Sequence, residues 1–449
     1  MSTFITQDFE PSSAATWKQK IQFDLKGADY NETLLTNTNE GITIKPFYHL
    51  DNFEKLDIPT SNEDFKICQS ILISSENEAN NSAIDVIKRG ANAIKFIVSN
   101  KLNPTILFKN LLNKNIEFHF QFEFFEEEFV QELVEILKNE TVFYNIDIIG
   151  NLAKSGNWYA SLNEDFKSLE NLILKNKFSI SVNADLYQNA GANNVQQVAY
   201  ALAHVNEYLT KFGSEIANKI QFNFAIGSNY FFEIAKIRAF KYLYNLILSE
   251  YNTTANAQIF AQPSLRNKTL YDYNVNMLRT TTESMSAILS GANTISNISY
   301  DAIFHNSNEF GDRIARNQLL ILKEESYFTN AQEIATNSYY IEAITKQIAE
   351  KALTIFKEIE KSGGFLHQLK EGTIQRKIDE NAKKEQAQFN AEEIILVGTN
   401  KYPNDQDKMK HDIEVHPFVE RNPKKTLIIP IIPKRLSEEL EQKRLKNEA

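Results

Sequence analysis

Among the 449 residues there is one cysteine, Cys68, so no disulfide can form within the chain, which suits a reducing compartment. Apolar runs are short as well. None approaches the roughly 18 residues of a membrane-spanning helix, and residues 1–30 lack the basic start and apolar stretch of a secretory signal. The expectation is a cytoplasmic protein that engages no membrane. Positive charge is scarce: 48 Lys and Arg stand against 58 Asp and Glu, and the net charge of −10 disfavours nucleic acid and anionic lipid. Small molecules or other proteins remain as partners. Only 14 Gly and 10 Pro are present, too few for extensive disorder. The motifs GxGxxG, GxxxxGK, CxxC, HExxH and GxSxG are all missing. Cys68 sits in an apolar run and reads as a small buried hydrophobe, since a reactive thiol needs an exposed, electropositive setting.

What the chain does have is apolar bulk, with a hydrophobic fraction of 42% that includes 31 Phe and 18 Tyr. Eight runs of strand character alternate with helical periodicity: residues 67–74, 93–98, 116–125, 144–149, 178–183, 220–227, 258–263 and 294–299. Helical stretches are clearest at 194–212, 230–250 and 273–289. Strand then helix, repeated eight times over roughly 250 residues, is the pattern of an α/β (β/α)8 TIM barrel, with a doubly wound open sheet as the alternative. Residues 67–325 form the barrel in this reading. Residues 1–66 hold a short helix near 14–25 and an extended arm at 41–48, together expected to be a subunit contact. Residues 326–402 read as a helical extension, with helices at 340–361 and 377–389. Residues 403–449 are a tail, where Pro430 breaks the apolar run 427–432 and favours an extended segment. Ile42, Ile44, Phe47 and Tyr48 of the arm lack local cover, so arm and tail are expected to bury apolar surface on a partner.

The strands carry a second signal. In the third, Phe118, Phe120, Phe122 and Phe124 share one face, while Glu117, His119, Gln121 and Glu123 share the other. Similar alternation places Asn145, Asp147, Ser179, Ser181, Asn183, Gln221 and Asn223 on polar faces. An ordinary barrel is packed with branched apolar side chains, so a polar lumen is expected, with Glu117, His119, Asp147 and Asn183 as its candidate polar groups. His119 with Glu117 and Glu123 could form a metal or acid/base cluster, yet no second His lies near in sequence, which favours a hydrogen-bonded filling. Arg313 and Arg316 share a helical face and could grip an anion, but packing or a local acid is the plainer reading. His411 and His416 lie in a charged tail and are expected to be solvated.

Several blocks point to one family: FGDRIARN from Phe310 to Asn317, ILKEE from Ile321 to Glu325, SYYIE from Ser338 to Glu342, and SGG at Ser362 to Gly364. Near the N-terminus, WKQKIQFDLKGADY from Trp17 to Tyr30 and EGITIKPFY from Glu40 to Tyr48 add to them. The chain resembles the methylmalonyl-CoA mutase family over about residues 17–402. That resemblance implies a polar-lined sleeve through which the pantetheine arm of a CoA ester passes, and a radical rearrangement done by adenosylcobalamin. It also marks what is missing. The family's SGYHMQEAGA, whose His contacts the substrate carbonyl, aligns on AGA with NADLYQNAGA from Asn183 to Ala192, putting Leu186 at the His and Asn189 at the Glu. GGTQS becomes GANTI at Gly291 to Ile295, with Thr294 at the Gln; DPxGGSYY becomes ATNSYY at Ala335 to Tyr340; the YPTMY motif and the cobalt-ligating DxHxxG are absent. The resemblance therefore implies the small (β) subunit of a heterodimeric methylmalonyl-CoA mutase isomerase, truncated before the cobalamin domain. It would be non-catalytic, would bind no cofactor or metal itself, and would stabilise a larger catalytic subunit that carries adenosylcobalamin. An acyl-CoA-binding regulatory module, or a divergent cobalamin-independent acyl-CoA enzyme using Glu117, Glu123 and Asp147, are the alternatives.

Overall fold

Eight parallel strands close around one axis in the computed structural model, which describes residues 11–59, 64–174, 178–329, 334–419 and 424–448. They are β1 (Lys66–Leu72), β2 (Ala93–Val98), β3 (Glu117–Phe122), β4 (Thr141–Phe143), β5 (Ile180–Asn183), β6 (Ile220–Ile226), β7 (Gln258–Pro263) and β8 (Thr294–Ile295). Each pairs with its sequence neighbour; β8 pairs with β1, and a bridge from Ile146 to Ile180 joins β4 to β5. The barrel is thus nearly closed, and an open doubly wound sheet is excluded. The outward residues are apolar because helices cover them: Phe118 and Phe120 of β3 are wholly buried and pack edge-on to Phe108, with ring centroids 5.3 and 6.2 Å apart. The helices Asn194–Phe212 and Tyr230–Glu250 form as the periodicity predicts. The first starts sharply because Asn193 and Gln196 make a reciprocal capping box.

The fourth strand is where the reading from sequence fails. Residues 144–149 carry three isoleucines and look extended, but β4 ends at Phe143, Asn145 turns back with φ 50°, and a helix runs over Ile148–Ser155. Asp147 causes the switch, for its carboxylate accepts the Gly150 N–H and caps that helix. The third run is also shorter than expected, leaving Glu123 and Phe124 beyond the end of β3.

Much of each terminal segment packs on this chain itself. Residues 36–37 and 43–44 pair into a small antiparallel ribbon, which buries Ile42 completely. Beyond it Tyr48 rests on Tyr340 and Phe53 on Tyr339, with centroids 5.2 and 5.1 Å apart, so the arm lies on this chain's own helix Tyr339–Lys361. The helix Ala14–Asp24 differs, since none of its residues is buried. The tail folds back too. Ile428 and Ile431 join the main core, and the segment ends in a helix, Glu438–Asn447, that no pattern announced.

Candidate functional site: the barrel lumen and its mouth

Because side chains alternate along a strand, β3 sends Glu117, His119 and Gln121 into the lumen, β6 sends Gln221 and Asn223, and β7 sends Phe260 and Gln262. The lower lumen is filled. Thr294 Oγ1 donates to Glu117 Oε2 at 2.9 Å, His119 Nε2 lies 3.4 Å from the same oxygen, and His119 Nδ1 lies 3.3 Å from Gln221 Oε1. The imidazole stacks on Phe143 at 4.8 Å and touches Phe260 at 4.9 Å, with no exposure at all. Burial pushes the Glu117 carboxyl up, but the hydrogen bond and charge of His119, with the Thr294 hydroxyl and Lys66, hold it below its usual range. His119 and Glu117 thus sit together as a polar plug, and Glu123 is not part of it. The sleeve implied by the resemblance is stopped at this level.

Above the plug the lumen opens into a cavity of about 810 Å³. Its floor is a crown of amides, Gln121, Asn145, Asn183, Asn223 and Gln262, with Lys95 among them. Asn183 holds this crown together by accepting from Asn223 Nδ2 at 2.6 Å and from Ser181 Oγ at 3.3 Å. Lys95 is nine-tenths buried, donates to Gln262 Oε1 at 3.2 Å, and lies 5.3 Å from the centre of the Phe260 ring. Burial pulls its ammonium down against the opposing pull of Cys68 and Asp185, and burial pushes the Asp185 carboxyl up. Cys68, immured beneath, has its thiol pushed up to about 12 by burial, which fits an inert side chain.

Asp147 borders the cavity but is not a free lumen acid. Its Oδ1 accepts from Gly150 N–H at 2.7 Å and Tyr208 OH at 2.7 Å and lies 3.0 Å from His204 Nε2; its Oδ2 accepts the Asn183 N–H at 2.8 Å. Burial raises this carboxyl, and the charge and hydrogen bond of His204, with the two backbone N–H groups, more than reverse it. The group positions the β4 and β5 loops. His204 and Tyr208 went unnoticed in sequence although, four apart on one helical face, they point the same way. Lys95 and Gln262 were missed as well; alternation alone places both inward.

The mouth carries Asp185, Leu186 and Asn189 on one side and Asp301, His305 and Asp312 on the other, with His305 Nδ1 3.2 Å from Asp301 Oδ2. Along part of its rim runs the tail, with Pro433 in the cavity wall. The N–H groups of Leu427, Ile431, Lys434 and Leu436 donate to the carbonyls of Gly156, Ala153, Asn189 and Arg266 at 2.9, 2.7, 3.0 and 2.9 Å. Arg435 locks this strap in place by donating to the carbonyls of Lys268 and Pro417 and pairing with Glu441 at 2.7 Å. The cavity opens to solvent past several exposed lining residues, among them Lys154, Ser155, Leu265, Asn306 and Ser307. Elsewhere, Arg316 is buried and donates to Gln69 Oε1 at 3.2 Å, whereas Arg313 is half-buried beside Glu309; they do not converge on an anion site. His411 is exposed and His416 rests on Phe418.

Among the described residues no three of His, Cys, Asp and Glu gather to hold a metal, and no helix is long and apolar enough to cross a membrane. Adenosylcobalamin does not fit the groups present. A cofactor reaching the lumen must approach through the mouth, as barrel chemistry does, and there it meets the strap and the apolar Leu186.

A family model for methylmalonyl-CoA mutase matches residues 139–432. The methylmalonyl-CoA mutase small subunit of Porphyromonas gingivalis is 32% identical over 447 residues, covering 88% of this chain and 71% of that protein. The large subunit from the same organism is 31% identical over 235 residues, and the methylmalonyl-CoA mutase of Cereibacter sphaeroides 35% over 237. Each of these covers 50% of this chain, and the chain spans 33% of each.

Proposed function

The chain belongs to the methylmalonyl-CoA mutase family, and from that premise we propose that it is the non-catalytic small subunit of a two-subunit, adenosylcobalamin-dependent mutase interconverting methylmalonyl-CoA and succinyl-CoA. Its work is to stabilise a larger catalytic subunit in the cytoplasm, and the cofactor is held by that partner. The observation that carries the reading is the strap of residues 427–436, which is bonded along the rim of the mouth beside Asn189 and brings Pro433 into the cavity wall, at the end of the barrel where such folds do their chemistry. Leu186 on the rim adds to it, because a hydrocarbon side chain can neither donate to a carbonyl nor steady a developing charge.

The partner's docking place is read from the helix Ala14–Asp24. None of its residues is fully buried; Trp17 meets Phe47 edge-on at 6.2 Å, yet Trp17 stays 50% and Phe23 79% exposed. Rings of this size are favoured anchors of protein interfaces. A regulatory CoA-binding module is less well supported, since the plug at His119 blocks the sleeve and the mouth gathers Glu123, Asp185, Asp301 and Asp312 against phosphates.

Co-expression with the large subunit is the test. The isolated chain with added adenosylcobalamin is expected to show no turnover, and the co-purified pair full turnover. Turnover by this chain alone overturns the reading.

A further inference from the structure

Lys95 is the one feature of the cavity that a scaffold role leaves without a purpose. It projects from the middle of β2 into the lumen, nine-tenths buried, and forms no ion pair; its single hydrogen bond goes to the neutral Gln262 Oε1. A buried ammonium with one acceptor for three donors is costly, and the cost falls if the group is held as a free amine. Of the other buried lysines, Lys241 donates to the Gly291 carbonyl and likewise has no carboxylate partner, but it lies outside the cavity. Lys236 and Lys268 each contact a carboxylate, Glu233 and Glu283. Neither lines the cavity, whereas Lys95 faces about 810 Å³ of space that is open to solvent past exposed lining residues such as Ser155, Leu265 and Ser307.

We propose that Lys95 captures small neutral carbonyl compounds, aldehydes or ketones, as a Schiff base at the floor of this cavity. The Nζ lone pair attacks the carbonyl carbon, the C=O pair moves to oxygen, and a proton passes from nitrogen to that oxygen to give a carbinolamine. Asp185 also borders the cavity, and its charge acts on Lys95. Its carboxyl protonates the hydroxyl, which leaves as water while the nitrogen lone pair completes the C=N bond. No external oxidant or reductant enters this balance. Burial raises the Asp185 carboxyl and lowers the Lys95 ammonium, the directions that favour a proton on the acid and a lone pair on the amine. The acidic side chains of Asp301, Asp312 and Glu123 at the mouth repel anionic carbonyls such as 2-oxo acids, and the amides of Asn145 and Asn223 offer oxygens with no partner to a ligand's hydroxyl groups.

Trapping with cyanoborohydride tests this on the full-length chain, with propanal as the neutral probe and pyruvate as the anionic one, each read by peptide mapping. The Lys95 peptide is expected to take up propanal severalfold faster than exposed lysines such as Lys20 and Lys383, and faster than the same peptide in urea. Pyruvate is expected to lag behind propanal there. Asp185→Asn should slow the uptake while leaving the melting curve in place, and Lys95→Arg should abolish it. Should Lys95 lag behind the exposed lysines in the folded chain, the proposal falls whether or not either variant folds. Equal uptake of pyruvate overturns the neutral class, and unaltered uptake in Asp185→Asn removes that residue's role. Mutase activity does not enter, so this outcome and that of the subunit reading are independent.

Discussion

The two ends of the chain look alike as sequence and behave oppositely as structure. Both lie outside the barrel, both mix apolar and charged residues, and neither has a core. Yet the tail sinks Ile428, Ile431 and Leu436 and hands backbone N–H groups to carbonyls around the mouth, while the helix Ala14–Asp24 buries no residue. Apolar content does not separate them. What separates them is whether the barrel presents unsatisfied backbone acceptors nearby, which loops at the C-terminal ends of the strands do and a ring of completed helices does not.

The contrast can be broken most forcefully at Arg435. Removing its guanidinium leaves the fully buried Glu441 without its partner, so Arg435→Ala should cost about 3–5 kcal/mol in a denaturant titration. A loss below 1 kcal/mol would mean the strap is loosely held. Ile431→Ala, which empties a core position under the strap, should cost about 2–4 kcal/mol by the same measurement.

Acid offers a subtler lever on the strap's anchor, the helix Ile148–Ser155 whose Ala153 carbonyl receives Ile431. Asp147 caps that helix with a folded-state pKa below its unfolded value, so its contribution is complete above the ordinary Asp range near 3.9 and fades as pH falls through the lower folded value. Stability measured against pH should therefore drop less steeply in Asp147→Asn than in the parent chain. Lys241 gives a slope of the same sign in an alkaline window. Burial brings its pKa down to about 8, so the unfolded chain binds the extra proton between pH 8 and 10.5, and stability gains from this group across that window. Lys241→Met should flatten that gain.

The smallest change in stability belongs to the N-terminal helix. Phe23→Ala should alter it by no more than about 0.5 kcal/mol, because an exposed ring contributes little. Pull-down of the large subunit should nonetheless weaken sharply. Unchanged pull-down would move the contact elsewhere and leave the two ends of the chain less different than they look.

How much of this could be read from the residues follows from the range of each interaction. Period-two alternation exposed the polar lumen, and the long amphipathic helices at 194–212 and 230–250 came out with correct bounds, since both signals are local. β4 did not, because one cap at Asp147 outweighed the strand preference of three isoleucines. The Lys95–Gln262 contact joins residues 167 apart, and Leu427 meets Asn157 across 270. No window of sequence spans such distances, so the crown was half seen and the strap was missed.

That strap also orders events in time. A chain leaving the ribosome delivers its N-terminal elements first, so all eight strands emerge before residues 427–436, and the barrel can assemble with its mouth open. Until residues 427–436 reach the carbonyls of Gly156, Ala153, Asn189 and Arg266, that part of the rim stays unedged, so a ligand that meets the crown during synthesis meets a wider mouth than one that arrives afterwards.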